Sequence, residues 1–387
     1  MDNRPAKYPT PPEIKFLIRC ASPAEDQEKC IRFLADEKLD WELVLALAAR
    51  HAITPLLYWR LKAVSPHRIA EPLEAAFQEN VRNSLRLTGE LLQVQQLLQR
   101  EGVPLLHFKG PTLAMAAYGN LALRQFVDLD VLVPKMHALR ARDLLLASGY
   151  GTSLQLSPRR AEAYLRLYDE FVLYKDDGQT LVELHWAFIP HRFSVPLQIS
   201  AFWDRAVSIS LAGREVPSLC TEDLLLVLCI HGAKHSWSRL SLVADVAWLI
   251  ARRPYVHWDS LFQRARMIGS LRMVLLGLRL AGSILEAPLP KSVLQNIESD
   301  QAVRILAAQV TARLFSPWDQ SGRIVRDGIF HMQARERWQD RARYLSRLIT
   351  TPGVEDWQLV DLPSSLAFLY PILRFPRLLR KYWMRVP

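Results

Sequence analysis

At 387 residues the chain exceeds what one compact core usually supports and suits two or three packed units. Half of it is apolar and 23% charged, which excludes a low-complexity or disordered chain and leaves ample material for a buried core. The formal charge of +10 favours anionic partners, while the longest uncharged apolar stretch, residues 224–233, is far short of the roughly 18–20 residues needed to span a bilayer.

The opening residues 1–12 are proline-rich and aperiodic, read as a loose lead, and lack the apolar run of a secretory signal; the expected location is cytoplasmic. The cysteines Cys20, Cys30, Cys220 and Cys229 form no C-x-x-C pair and are expected reduced. From Asp40, a plausible N-cap, WELVLALAARHAITPLLYWRLKA spaces its apolar residues three and four apart, the mark of helix. Leu73, Phe77, Val81, Leu85, Leu91, Val94 and Leu98 repeat that period, so residues 1–101 are expected as an N-terminal helical region.

At Gly102 the character changes. VPLLHFK (103–109) is predicted to be a strand, 111–118 a helix entered at Pro111, VDLDVLV (127–133) a second strand and 135–148 a helix. EFVLYKD (170–176) and TLVELHWAF (180–188), separated by Asp-Gly, read as a hairpin. Residues 102–200 are therefore expected as a small α/β core. Helical patterns resume at 222–235, 239–252, 258–267, 270–285, 300–315 and 330–349, giving a helical region over 201–350. The tail, 351–387, is basic. From Arg304 onward there are fourteen Lys/Arg against seven Asp/Glu, a face that suits an anionic surface or equally an ordinary solvated helix. The predicted class is α+β, a small mixed sheet with helices, flanked by helical regions.

The chemistry concentrates in Asp128-Leu129-Asp130. Period two puts both carboxylates on one face of a strand, about 6–7 Å apart at Cα, with Leu129, Val131 and Val133 on the other. Unpaired, two such anions would repel and be expensively desolvated; a shared hard cation, Mg²⁺ or Mn²⁺, resolves both problems. Glu183 would complete a three-carboxylate site, with His185 on its face of the strand and Val182, Leu184 and Trp186 on the opposite one. Lys109-Gly110 closes the preceding strand where backbone amides can approach phosphate, and Arg124 can reach phosphate or the aspartates.

Phe108-Lys109-Gly110, Arg124, Asp128-Leu129-Asp130 and Glu183-Leu184-His185-Trp186 together resemble the nucleotidyltransferase superfamily of DNA polymerase beta type. More narrowly, they resemble its uncharacterised bacterial nucleotidyltransferases. The resemblance implies metal-dependent transfer of a nucleoside monophosphate from an NTP to an acceptor, a small molecule, peptide or protein, with Asp128, Asp130 and Glu183 as metal ligands. It also implies that Lys109, Gly110 and Arg124 hold the triphosphate. This chain departs from the wider superfamily in carrying Lys-Gly where Gly-Ser is usual. His231, Lys234, His235 and Arg239 lie near one helical face; H-x-x-x-H spacing suits zinc, but the metalloprotease glutamate is missing. The resemblance turns this segment toward nucleotide, with Lys234, His235 and Arg239 on phosphate and Asp245 orienting His235. Two other readings stand beside this one: a non-catalytic nucleotide-binding or scaffold protein, and a peripheral binder of anionic surfaces through the tail. No nucleic-acid-binding motif is present.

Overall fold

The computed structural model describes residues 11–25, 27–35, 38–154, 156–175, 178–253, 255–316 and 323–351. The proline-rich lead up to residue 10, and the basic tail beyond Thr351, lie outside the described residues.

Five helices come first: α1 (Pro12–Ala21), α2 (Gln27–Ala35), α3 (Trp41–Arg50), α4 (Thr54–Val64) and α5 (Glu71–Arg100). Asp40 caps α3, its carboxylate accepting from the Leu43 N–H at 3.0 Å. The helical period that continues past Arg50 is divided between α3 and α4. Ala52 turns to φ 52° there, and Pro55 is tolerated because it falls in the first turn of the new helix.

A six-stranded mixed sheet follows, in the order β3-β4-β2-β1-β6-β5. Its strands are β1 (Leu106–His107), β2 (Asp128–Leu132), β3 (Glu170–Lys175), β4 (Thr180–His185), β5 (Val207–Leu211) and β6 (Arg214–Ser218). β2 runs parallel to β4 and antiparallel to β1, while β3 and β4 form the predicted antiparallel hairpin. The β5–β6 hairpin falls where helix alone was expected. Val207, Ile209 and Leu211 alternate along β5, and Ala212-Gly213 both take positive φ, as a tight hairpin turn demands.

Helices α6 (Gly110–Leu113), α7 (Ala138–Ala147), α8 (Pro158–Leu167) and α9 (Ser200–Trp203) connect the strands, and a π-helical turn, Ala114–Tyr118, extends α6. The closing helices are α10 (Thr221–Lys234), α11 (Leu240–Arg252), α12 (Trp258–Met267), α13 (Leu271–Leu285), α14 (Lys291–Glu298), α15 (Gln301–Leu314), α16 (Arg323–Gln333) and α17 (Trp338–Thr350). The single helix expected over 330–349 is two. They meet at Arg335, which is buried with its guanidinium 4.5 Å from the Phe193 ring and 4.1 Å from that of Tyr344.

Two apolar cores explain how the sheet is held. Leu129, Val131 and Val133 of the β2 segment and Val182 and Leu184 of β4 pack with Leu87, Leu91 and Val94 of α5 and Ala141 and Leu145 of α7. Leu132 and Phe108 join the larger core built on α1–α4, α10, α11 and α13. One face of the sheet is therefore dry, and the alternate residues of β2 and β4 emerge on the other, where Asp128 and Asp130 precede the buried Leu132. The four cysteines are free thiols. Among the described residues no helix is long and apolar enough to cross a membrane.

Candidate functional site

Parallel pairing of β2 with β4 sets Asp130 directly beside Glu183, and Leu132 beside His185. Antiparallel pairing of β3 with β4 sets Glu170 beside His185. Three neighbouring strands thus deliver Asp128, Asp130, Glu183, His185 and Glu170 to one face, because each stands at an alternate position from its apolar neighbours.

Asp130 is buried, 2% exposed, and one carboxylate oxygen is heavily used. Oδ1 accepts from Lys109 Nζ at 2.6 Å and lies 3.2 Å from His185 Nε2. Oδ2 is buried with no hydrogen-bond partner. His185 Nε2 also lies 3.3 Å from Glu183 Oε2, and its Nδ1 is 3.1 Å from Glu170 Oε2 but off the line of a hydrogen bond. Burial alone would raise the Asp130 carboxyl; the Lys109 ammonium and the His185 ring more than offset it and hold it well below the usual carboxylate range. Burial likewise opposes a charge on His185, yet its hydrogen bonds to Asp130 and Glu183 push the ring up to about 9. Asp128 goes the other way, pushed up to about 6 by burial and by repulsion from Asp130 and Glu183. One strand thus carries two aspartates with opposite proton affinities.

Single ligand atoms of Asp130, Glu183 and His185 lie within 4.8 Å of one another, as do those of Asp169, Glu170 and His185. Asp128 belongs to neither set. The donor chemistry of the first set, two carboxylates and an imidazole around a buried oxygen without a partner, fits a divalent cation.

Lys109 lies two residues past β1, at the N-cap of α6, and Gly110 turns the chain into that helix at φ 51°. A side chain at Gly110 would meet the Asp128 carbonyl at 3.4 Å, so glycine here serves both the left-handed backbone and the close approach to β2.

Arg124 and Asp245 occupy other roles than the sequence suggests. Arg124 binds Asp245 through two nitrogens, Nε to Oδ1 at 2.9 Å and Nη2 to Oδ2 at 3.1 Å, and Tyr118 donates to the same Oδ1 at 2.9 Å. Asp245 makes no hydrogen bond to His235, and the expected orienting role is replaced by this buried bridge from α11 to the π-helical turn. Arg124 keeps an electrostatic connection to the site, since its charge draws down the Asp128 carboxyl.

The C-terminal end of α10 brings Lys234 near the acids, together with two histidines that burial keeps neutral, His235 pushed down to about 3. His231 and His235 have ring centroids 4.5 Å apart, without a ligating acid between them. Burial and then Lys109 hold the Lys234 ammonium below its usual range, with Glu170, Asp169 and Glu183 pulling the other way, so this amine faces the acidic strands. His331 fixes its backbone, Nε2 lying 3.0 Å from the Lys234 carbonyl. Arg239 is exposed at the start of α11. Ser236 and Trp237 between them both take positive φ, 51° and 52°, and the buried indole of Trp237 lies where a Cβ on Gly232 or Gly277 would stand.

Residues 37–286, from just before α3 to the end of α13, match the family described as uncharacterised nucleotidyltransferase. The chain belongs to that family. A search of curated proteins gives no match. The family match spans both sides of the site, from Lys109 through Glu183 to Asp245.

Sequence reasoning missed Asp169, Glu170, Tyr118 and His331. Glu170 could have been found: the antiparallel hairpin predicted for 170–176 and 180–188 sets 170 opposite 185 once its register is fixed. Tyr118 and His331 depend on contacts far apart in the chain and carry no local signal.

Proposed function

We propose that the protein is a metal-dependent nucleotidyltransferase that moves a nucleoside monophosphate from an NTP to an acceptor hydroxyl or similar nucleophile, with pyrophosphate leaving. The observation that carries this reading is the in-register pair Asp130 and Glu183, with an oxygen of Asp130 buried and without a partner. Asp128, Asp130 and Glu183 would hold Mg²⁺ or Mn²⁺, which when bound supplies charge neutralisation for the triphosphate and activation of the attacking oxygen. The remaining work is positioning. Lys109 and Lys234 line the approach to the acids, and Gly110 opens backbone room beside Asp128. Arg239 extends this positive side toward phosphate, His235, held neutral by burial and Lys234, offers a hydrogen bond there, and Arg124 adds fixed positive charge while remaining bound to Asp245.

Asp130→Asn keeps the side chain's shape and removes its charge. Pyrophosphate release with each NTP should fall by on the order of 10³ or more, the scale of losing one charge-stabilising group in phosphoryl transfer. Near-wild-type release by folded Asp130→Asn protein would falsify the reading.

The Lys109–Asp130 ion pair favours one alternative, a nucleotide-binding protein without turnover, because the ammonium already neutralises the acid. That reading predicts thermal stabilisation by NTP with no pyrophosphate formed.

A further inference from the structure

We propose that His185 is itself a ligand of the cation, that Glu170 orients it from behind, and that the resulting carboxylate–carboxylate–imidazole set prefers Mn²⁺ to Mg²⁺. The inference rests on the nucleotidyltransferase reading and goes beyond its three carboxylates.

Its basis is geometric. His185 Nε2 lies between Asp130 and Glu183, at 3.2 and 3.3 Å from their oxygens. Asp130, His185 and Glu183 offer ligand atoms within 4.8 Å of one another, whereas Asp128 falls outside the set. Two atoms here are buried without hydrogen bonds: Asp130 Oδ2, which the Lys109 ammonium leaves untouched, and His185 Nδ1. Glu170 Oε2 lies 3.1 Å from that Nδ1 but off the line of a hydrogen bond, and a rotation of this part-exposed carboxylate brings it into line. A carboxylate at the far nitrogen of a ligating histidine fixes the ring's orientation and tautomer, so that Nε2 presents its lone pair forward. The ring also has no freedom to leave: it is 4% exposed and edge-on to Phe108, with ring centroids 5.5 Å apart.

Ligand chemistry then decides the metal. Mg²⁺ demands near-ideal octahedral oxygen coordination and gives up water reluctantly. An imidazole nitrogen in the first shell suits a first-row transition ion better. Among the two ions expected for NTP chemistry, Mn²⁺ is the one favoured.

Pulsed electron paramagnetic resonance of the Mn²⁺-loaded full chain reads the ligand directly. Wild type should show nitrogen-14 modulation from a bound imidazole, moving to nitrogen-15 frequencies when the protein is grown on ¹⁵N-histidine. His185→Gln should lose it and weaken Mn²⁺ in a titration more than Mg²⁺. Glu170→Gln should keep the modulation but bind Mn²⁺ about ten-fold more weakly, the usual effect of losing an orienting partner. If His185→Gln does not fold, the labelled wild type and Glu170→Gln still decide. A spectrum free of nitrogen coupling, or coupling that survives in His185→Gln, overturns the proposal; if pyrophosphate release persists, the nucleotidyltransferase reading survives it. Failure of wild type to bind Mn²⁺ at all overturns both.

Discussion

The Arg124–Asp245 bridge shows how little a single residue's chemistry says about its post. Arginine four positions before an acidic strand invites a phosphate, yet here it is committed to a carboxylate 121 positions later. Both side chains are largely buried, at 15% and 5% exposed, so removing one partner leaves the other charge desolvated and unpaired. Arg124→Met is expected to cost about 3–5 kcal/mol in urea unfolding. Arg124→Met combined with Asp245→Leu should recover most of that loss, less about 1 kcal/mol for the Tyr118 hydroxyl left without its acceptor. If the double variant is as unstable as the single, the bridge is not the source of the cost. Asp128, Asp130 and Glu183 were legible beforehand because strand alternation is a local property of the sequence. The partner of Arg124 was not, because pairing across the fold leaves no trace in spacing.

Among the elements, the passage from α10 to α11 carries the clearest test. Gly232 lies inside a helix, where alanine would ordinarily gain about 1 kcal/mol. Its Cβ would stand 2.5 Å from the ring of Trp237, which is fully buried and cannot retreat. Overpacking of that kind costs about 1–3 kcal/mol, so Gly232→Ala should lower stability. Because Trp237 anchors the turn that carries His235 and Arg239, the KM for NTP should also rise. A variant with raised melting temperature and unchanged KM would contradict this. The helices of the second half were readable wherever an apolar period ran unbroken. The β5–β6 hairpin was missed because its outward residues, Ser208 and Ser210, are as unremarkable in a loop as in an edge strand. The break near Arg335 was missed because a buried arginine over two aromatic rings does not interrupt a helical period.

For the whole molecule, buried histidines set the response to acid. Burial holds His51 down to about 4, ahead of smaller effects from Arg50 and Arg239, and holds His107 down to about 3. Both folded values lie below the unfolded value near 6.5. Below that pH the unfolded chain binds protons that the folded chain refuses. Their contribution to stability is complete above about pH 6.5 and is lost as pH falls toward 4 and then 3. Asp169, pushed up to about 6 by burial and Glu170, works in the opposite sense and returns part of the loss below that pH. Neither ring nitrogen of His107 has a hydrogen-bond partner, so His107→Leu forfeits no bond. Its stability relative to wild type should improve by on the order of 1–2 kcal/mol between pH 7.5 and pH 5 in urea titrations, and an unchanged difference would show that His107 is not acid-sensitive.

The sheet order has one further consequence. β2 and β4, which carry the acids, are hydrogen-bonded on both edges, to β1 and each other and to β3, whereas the side bearing Lys234 hangs on a helix end and a left-handed turn. Amide hydrogens of Leu129–Leu132 should therefore exchange far more slowly than those of residues 235–239. Under the proposed function, opening to admit NTP falls to the helical side, with the acids as a stationary jaw. Substitutions at residues 235–239 can then alter that side while leaving the acid-bearing strands undisturbed.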